Sequence, residues 1–118
     1  MSSSTKNEYG TITIDNEVIA RIAGLAAMGC YGVVGMAAKS VKDGLVHLLK
    51  LESLTKGVNL SINEGKLSIE LHIIVEYGTN ISAIGDSLMD TVKYKVEEYV
   101  GLKIEKIEVF VEGIRVDN

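Results

Sequence analysis

The chain has 118 residues, 47% hydrophobic and 24% charged, with a net charge of -4 and a single cysteine. That length suits one domain around one continuous core, and the acidic balance, with a pI near 5.1, argues against a face that collects phosphates, so no nucleic-acid partner is expected. Cys30 has no intrachain partner, the opening Met1-Ser2-Ser3-Ser4-Thr5-Lys6 lacks a signal-peptide-like apolar run, and no segment approaches the roughly 18 uninterrupted apolar residues of a spanning helix; a cytoplasmic protein is expected, touching a membrane only through a partner.

Met1 to Glu8 is polar and short of apolar anchors, so a disordered tail is expected there, followed by a single domain from Tyr9 to Asn118. Gly10-Thr11-Ile12-Thr13-Ile14 alternates and is β-branched, which predicts a short first strand with Ile12 and Ile14 facing the core. Asp15 or Asn16 can cap a helix running to about Gly29, with Val18, Ile22, Leu25 and Ala26 as its buried stripe and Ile19 and Ala23 beside it. Past the glycines, Val33 to Ala38 reads as a second strand. Val41, Leu45, Leu48 and Leu49 fall at helical spacing, predicting a short helix from Val41 to about Leu51. Val58, Leu60 and Ile62 alternate with polar neighbours as a third strand.

Leu67, Ile69, Leu71, Ile73 and Val75 then alternate with Ser68, Glu70, His72, Ile74 and Glu76, the period of a strand with one oily and one mostly wet face. With Glu64 and Gly65 as a two-residue turn, Ile62 pairs with Leu67, Leu60 with Ile69 and Val58 with Leu71, apolar against apolar throughout. A slip of one residue would set an oily face against a wet one. Glu is a poor fit for a positive φ, so a longer loop with Gly65 left-handed is the alternative.

After Tyr77 to Asn80 the period changes. Ile81, Ile84, Leu88, Val92, Val96 and Tyr99 line one side of a helix of roughly 20 residues that Gly101 can end. A last strand carries Ile107, Val109 and Val111 on one face, with Lys106, Glu108, Phe110 and Glu112 on the other. A strand reached through a crossover helix lies parallel to the strand that precedes it. The expected architecture is α+β, a two-layer sandwich of a mixed sheet with helices packed on one face.

No catalytic signature accompanies this pattern. His72 and His47 have no second histidine or cysteine at ligand spacing, so both read as solvated surface residues. Cys30 has no neighbouring histidine to activate it and reads as a small packing residue. Asp86 and Asp90 lie opposite the apolar stripe with Lys93 one turn on, as on a wet helix face. Gly29-Cys30-Tyr31-Gly32 matches a bare G-x-x-G, but it has no basic residues to hold a nucleic-acid backbone. No catalytic, cofactor-binding or metal-binding residue is assigned.

Gly10-Thr11-Ile12-Thr13-Ile14, Glu17-Val18-Ile19, Ile22-Ala23-Gly24 and Gly32-Val33-Val34-Gly35-Met36 are followed by Asp43-Gly44-Leu45, Leu48-Leu49, Lys56-Gly57-Val58 and Val75-Glu76-Tyr77-Gly78. Gly101-Leu102 and Val111-Glu112-Gly113-Ile114 complete the series. In that order these segments resemble the alkaline shock protein family of Gram-positive bacteria, including its YloU-like members, over roughly Tyr9 to Val116. The resemblance implies a small cytoplasmic protein of cell-envelope homeostasis and stress response, without known enzymatic activity, some relatives being held at the membrane by a separate transmembrane partner. In Met28-Gly29-Cys30-Tyr31 this chain lacks the acidic residue that the resemblance leads one to expect before the Gly-Val turn.

The expected function is therefore that of a non-catalytic interaction or scaffold protein with protein partners, a membrane-anchored one among them, and with self-association. The alternative is a small-ligand or RNA-binding module using the turns at Gly29, Tyr31, Gly32 and Gly35. For the first reading the expected surface is Ile74 and Phe110, two apolar residues on wet strand faces, rimmed by Glu76, Glu108 and Glu112.

Overall fold

The strand with the clearest alternation is the one to which the rest of the sheet is attached. The computed structural model describes residues 2–7, 10–39, 46–101 and 103–116. Its central strand β6, Lys66–Glu76, buries Leu67, Ile69, Leu71, Ile73 and Val75 almost completely. The elements before it are β1 (Ser2–Asn7), β2 (Gly10–Asp15), α1 (Asn16–Met28), β3 (Val33–Lys39), β4 (Val46–Leu48), a 3-10 helix (Leu51–Gly57) and β5 (Val58–Asn63). α2 (Ile81–Val100) and β7 (Ile104–Arg115) follow it.

β5 and β6 form the antiparallel hairpin in the expected register, Ile62 opposite Leu67, Leu60 opposite Ile69 and Val58 opposite Leu71. The turn is the two-residue one. Glu64 has φ 53° and Gly65 φ 75°, the left-handed pair of a type I′ turn, whose twist matches that of the strands. Glu64 bears the steric cost of a Cβ there, so Glu64→Asn is expected to raise stability by about 0.5–1 kcal/mol in urea denaturation.

β7 runs parallel to β6 along its other edge, as the α2 crossover requires. β3 pairs antiparallel with the last part of β6, and β4 with the end of β3. The sheet is thus mixed. α1 and α2 pack against each other and against one face of it, giving the two-layer α+β sandwich. α2 buries Ile84, Leu88, Val92 and Val96, while Ile81 and Tyr99 at its two ends remain exposed. Asn80 caps it by accepting from the Ala83 N–H, and Gly101, at φ 77°, closes it in the left-handed conformation.

Three expectations are corrected. Ser2–Asn7, expected to be a disordered tail, pairs with β2 in a separate two-stranded sheet; the outlook of the Ile12 and Ile14 side chains lies outside the described residues. The short helix expected from Val41 does not continue through Val46–Leu48, which is strand and is followed by a 3-10 helix; Val41 to Leu45 lie outside the described residues.

The third correction concerns the face of α1. The helix buries Ile19, Ala20, Ala23, Gly24 and Ala27, while Val18 (39%) and Leu25 (48%) are exposed and Ile22 is half-buried. The reason is space. Leu54 of the 3-10 helix is fully buried and presses on Gly24 so closely that a Cβ there would overlap its Cδ1. The face of α1 that carries Gly24 can approach it so closely, and that face brings Ala20, Ala23 and Ala27 inward with Ile19 as its one large buried residue.

Candidate functional site

The outer face of the sheet, away from α1 and α2, carries Asn59 and Ser61 from β5, Glu70, His72 and Ile74 from β6, and Glu108, Phe110 and Glu112 from β7. What lies beside what is decided by register. β7 gains a residue on β6 twice, at Glu105 and at Glu112, because Leu67 and Ser68 face Ile104 and Lys106, and Ile73 and Ile74 face Val111 and Gly113. Phe110 therefore stands opposite His72, and Ile74 stands opposite Gly113.

Phe110 and His72 stack, ring centroids 5.0 Å apart and planes 12° from parallel. His72 Nδ1 lies 2.9 Å from Glu112 Oε2, and since a carboxylate only accepts, that ring nitrogen carries the hydrogen. His72 Nε2 is then the acceptor for the Asn59 amide nitrogen at 3.3 Å, which also reaches Glu70 Oε2 at 3.4 Å. The histidine is thus held in one orientation from both sides, and it in turn supports the Phe110 ring. Phe110 remains 38% exposed in the middle of this polar frame.

Ile74 is half-buried and covers the place where Gly113 has no side chain, its Cγ1 3.8 Å from where a Cβ would be. Glu76 faces Arg115 across the strands, and Glu108, opposite Glu70, is paired with Lys106 at 3.3 Å. Depressions of about 330 Å3, beside Ser61, Ser68 and Lys106, and of about 320 Å3, beside Lys56, His72 and Glu112, flank Asn59. Glu70, Glu108 and Glu112 give the face a negative rim around one aromatic ring.

His72 was expected to be an ordinary solvated residue, and Asn59 was assigned no role. The hairpin register already places Asn59 beside Glu70, but the Phe110–His72 stack depends on the bulge at Glu105, which shows in the sequence only as a gap of three between Ile104 and Ile107.

The glycine turns have a different character. Gly29 ends α1, its N–H donating to the carbonyls of Leu25 and Ala26. Gly32 has φ 87°, and a Cβ there would overlap Ile84 Cδ1. A Cβ at Gly35 would lie 2.9 Å from Leu48 Cδ1. Gly32 and Gly35 thus stand where chains approach closely, while Tyr31 points outward, 87% exposed. Cys30 is half-buried with its Sγ 3.5 Å from the Ala26 carbonyl. Asp86, Asp90 and Lys93 lie on the exposed side of α2. His47 has a side chain outside the described residues. Among the described residues no three His, Cys, Asp or Glu side chains gather to hold a metal.

Residues 4–116 match the alkaline shock protein 23 family, described as having a cell envelope-related function. The chain is 43% identical to the uncharacterized protein YloU of Bacillus subtilis over all of its own length and 99% of that protein. It is 32% identical to the uncharacterized protein Spy1614 of Streptococcus pyogenes, covering 98% of this chain and 97% of the relative. A stress response regulator gls24 homolog of Streptococcus pyogenes is also 32% identical, over 90% of this chain and 59% of that longer protein. No solved structure matches the chain. With its ordered motifs, a family match over nearly its whole length and full-length relatives of the same kind, the chain belongs to the alkaline shock protein family of cell envelope-related function.

Proposed function

We propose that this protein is a non-catalytic interaction or scaffold protein of cell-envelope homeostasis and stress response, which docks a protein partner on the outer face of its sheet. The observation that carries this reading is the Phe110 ring, braced by His72 and exposed in the middle of a carboxylate-rimmed face that neither helix covers. An aromatic anchor within a polar rim is the usual anatomy of a contact surface, and its orientation is fixed before binding. The partner that fits offers an apolar pocket flanked by lysine or arginine, complementary to Glu70, Glu76, Glu108 and Glu112. No helix among the described residues is long and apolar enough to cross a membrane, so in this reading a membrane-anchored partner brings the protein to the envelope from the cytoplasmic side.

Phe110→Glu tests it. The added carboxylate meets water in the free protein and is desolvated in the complex, so recovery of the partner from a Gram-positive lysate is expected to fall about tenfold or more. The far-UV circular dichroism should stay that of the wild type, with a small fall in the denaturation midpoint from the lost stack on His72. Unchanged recovery would remove this face and bring forward the turns at Gly29, Tyr31, Gly32 and Gly35.

A further inference from the structure

β7 is a 12-residue strand with β6 on one edge and, among the described residues, no strand on the other. Such an edge is a template for another strand, and it is usually blunted by charged side chains, proline, short length or bulges; β7 carries charges of both signs, which repel or attract a second strand according to register. β7 has no proline, and its two bulges, at Glu105 and Glu112, leave the run between them regular. Its inward-facing Ile107, Val109 and Val111 are only half-buried, whereas their neighbours Ile69, Leu71 and Ile73 on β6 are closed off. The margin of the core is open along this edge.

We propose that two copies of the chain pair β7 to β7 antiparallel about a two-fold axis at Val109, joining their sheets into one. Registers that keep like faces together differ by the residue placed on the axis, and charge separates them. With Val109 on the axis, Lys106 faces Glu112 of the second copy, and by symmetry this happens twice. Ile107 faces Val111 on the inner side, Glu108 faces Phe110 on the outer side, and no like charges meet within the paired run. Centring on Phe110 sets Glu108 against Glu112 twice, and centring on Glu108 sets that residue against itself. Centring on Ile107 also sets Lys106 against Glu108 twice, but it places the inward-facing Val109 against Glu105, and centring on Val111 places Ile107 against Arg115.

The Val109 register also lays the regular run Lys106–Glu112 upon its own copy, with the bulges at its ends. A depression of about 200 Å3 lined by Met89, Lys93, Ile104 and Ile107 opens between α2 and the start of β7, on the side where Val111 of the second copy arrives. Pairing a strand edge with its own copy satisfies backbone groups and covers the half-exposed apolar row together. This edge is distinct from the docking face, although Phe110 belongs to both, so Lys106 is the diagnostic position.

Analytical ultracentrifugation of the full chain from micromolar to millimolar concentration is expected to show a monomer–dimer equilibrium. Zero-length carbodiimide coupling should join Lys106 to Glu112, a link that reports only on two chains, because six residues of strand hold these side chains about 20 Å apart within one. Lys106 is largely exposed, so Lys106→Glu should fold normally and weaken the dimer about tenfold or more by turning two attractive pairs into repulsive ones. A monomer at every concentration overturns the proposal. So does a dimer that forms no Lys106–Glu112 link, or one that keeps its affinity in Lys106→Glu.

Discussion

Leu88→Ala is expected to lower the free energy of unfolding by about 2–5 kcal/mol, measured by urea denaturation. Leu88 is fully buried in the middle of α2 and belongs to one core cluster with Ile69 and Leu71 of β6, against which Ile107 and Val109 of β7 also pack. Truncation removes transfer energy and leaves a cavity between two rigid layers. α2 cannot sink to fill it, because Ile84, Val92 and Val96 hold the same face of the helix on the sheet. A midpoint equal to that of the wild type would contradict this packing.

Gly32→Ala should cost nearly as much, for a reason that has little to do with lost contacts. Gly32 sits at φ 87°, where a Cβ costs about 1–2 kcal/mol in backbone strain alone. That Cβ would also overlap Ile84 Cδ1 and stand 2.9 Å from its Cγ1, and Ile84 is only 4% exposed. Forcing it aside adds about 1–3 kcal/mol of overpacking. The Gly32 carbonyl accepts from the Glu76 N–H at 2.9 Å, so the strain would pass directly into the start of the β3–β6 pairing. The expected result is a loss of about 2–5 kcal/mol in the same denaturation experiment. A variant as stable as the wild type would show that the turn is not fixed by packing on α2.

Local periodicity and face matching made the β5–β6 hairpin legible, since any one-residue slip misaligns every side chain. The parallel placement of β7 was legible too, because a crossover helix leaves the chain no other economical return. The buried face of α1 was not. Val18, Ile22 and Leu25 are the oilier choice, yet Leu54 lies so close to Gly24 that no side chain fits there, and that constraint comes from a residue thirty positions further on. Val46–Leu48 failed differently, because a short apolar run such as Leu45, Leu48 and Leu49 fits a helix or a strand equally well. At the outer face, the residue types of the rim could be read from alternation. The partner of Phe110 could not, because it is set by the extra residue at Glu105, whose only trace in the sequence is a gap of three rather than two between Ile104 and Ile107.

β6 carries β7 along one edge, and β5 and then β3 along the other. This arrangement orders assembly in time. The hairpin with β5 closes over two residues and is the cheapest loop to form; β7 must wait for α2 to cross over, and the pairing of β3 closes a loop of about a third of the chain. During synthesis everything up to β4 leaves the ribosome before its template exists, with the apolar residues of α1 and β3 still unclaimed. The inner edge of β3 and the buried face of α1 therefore depend on the second half for their partners, and they are what a chaperone would find exposed.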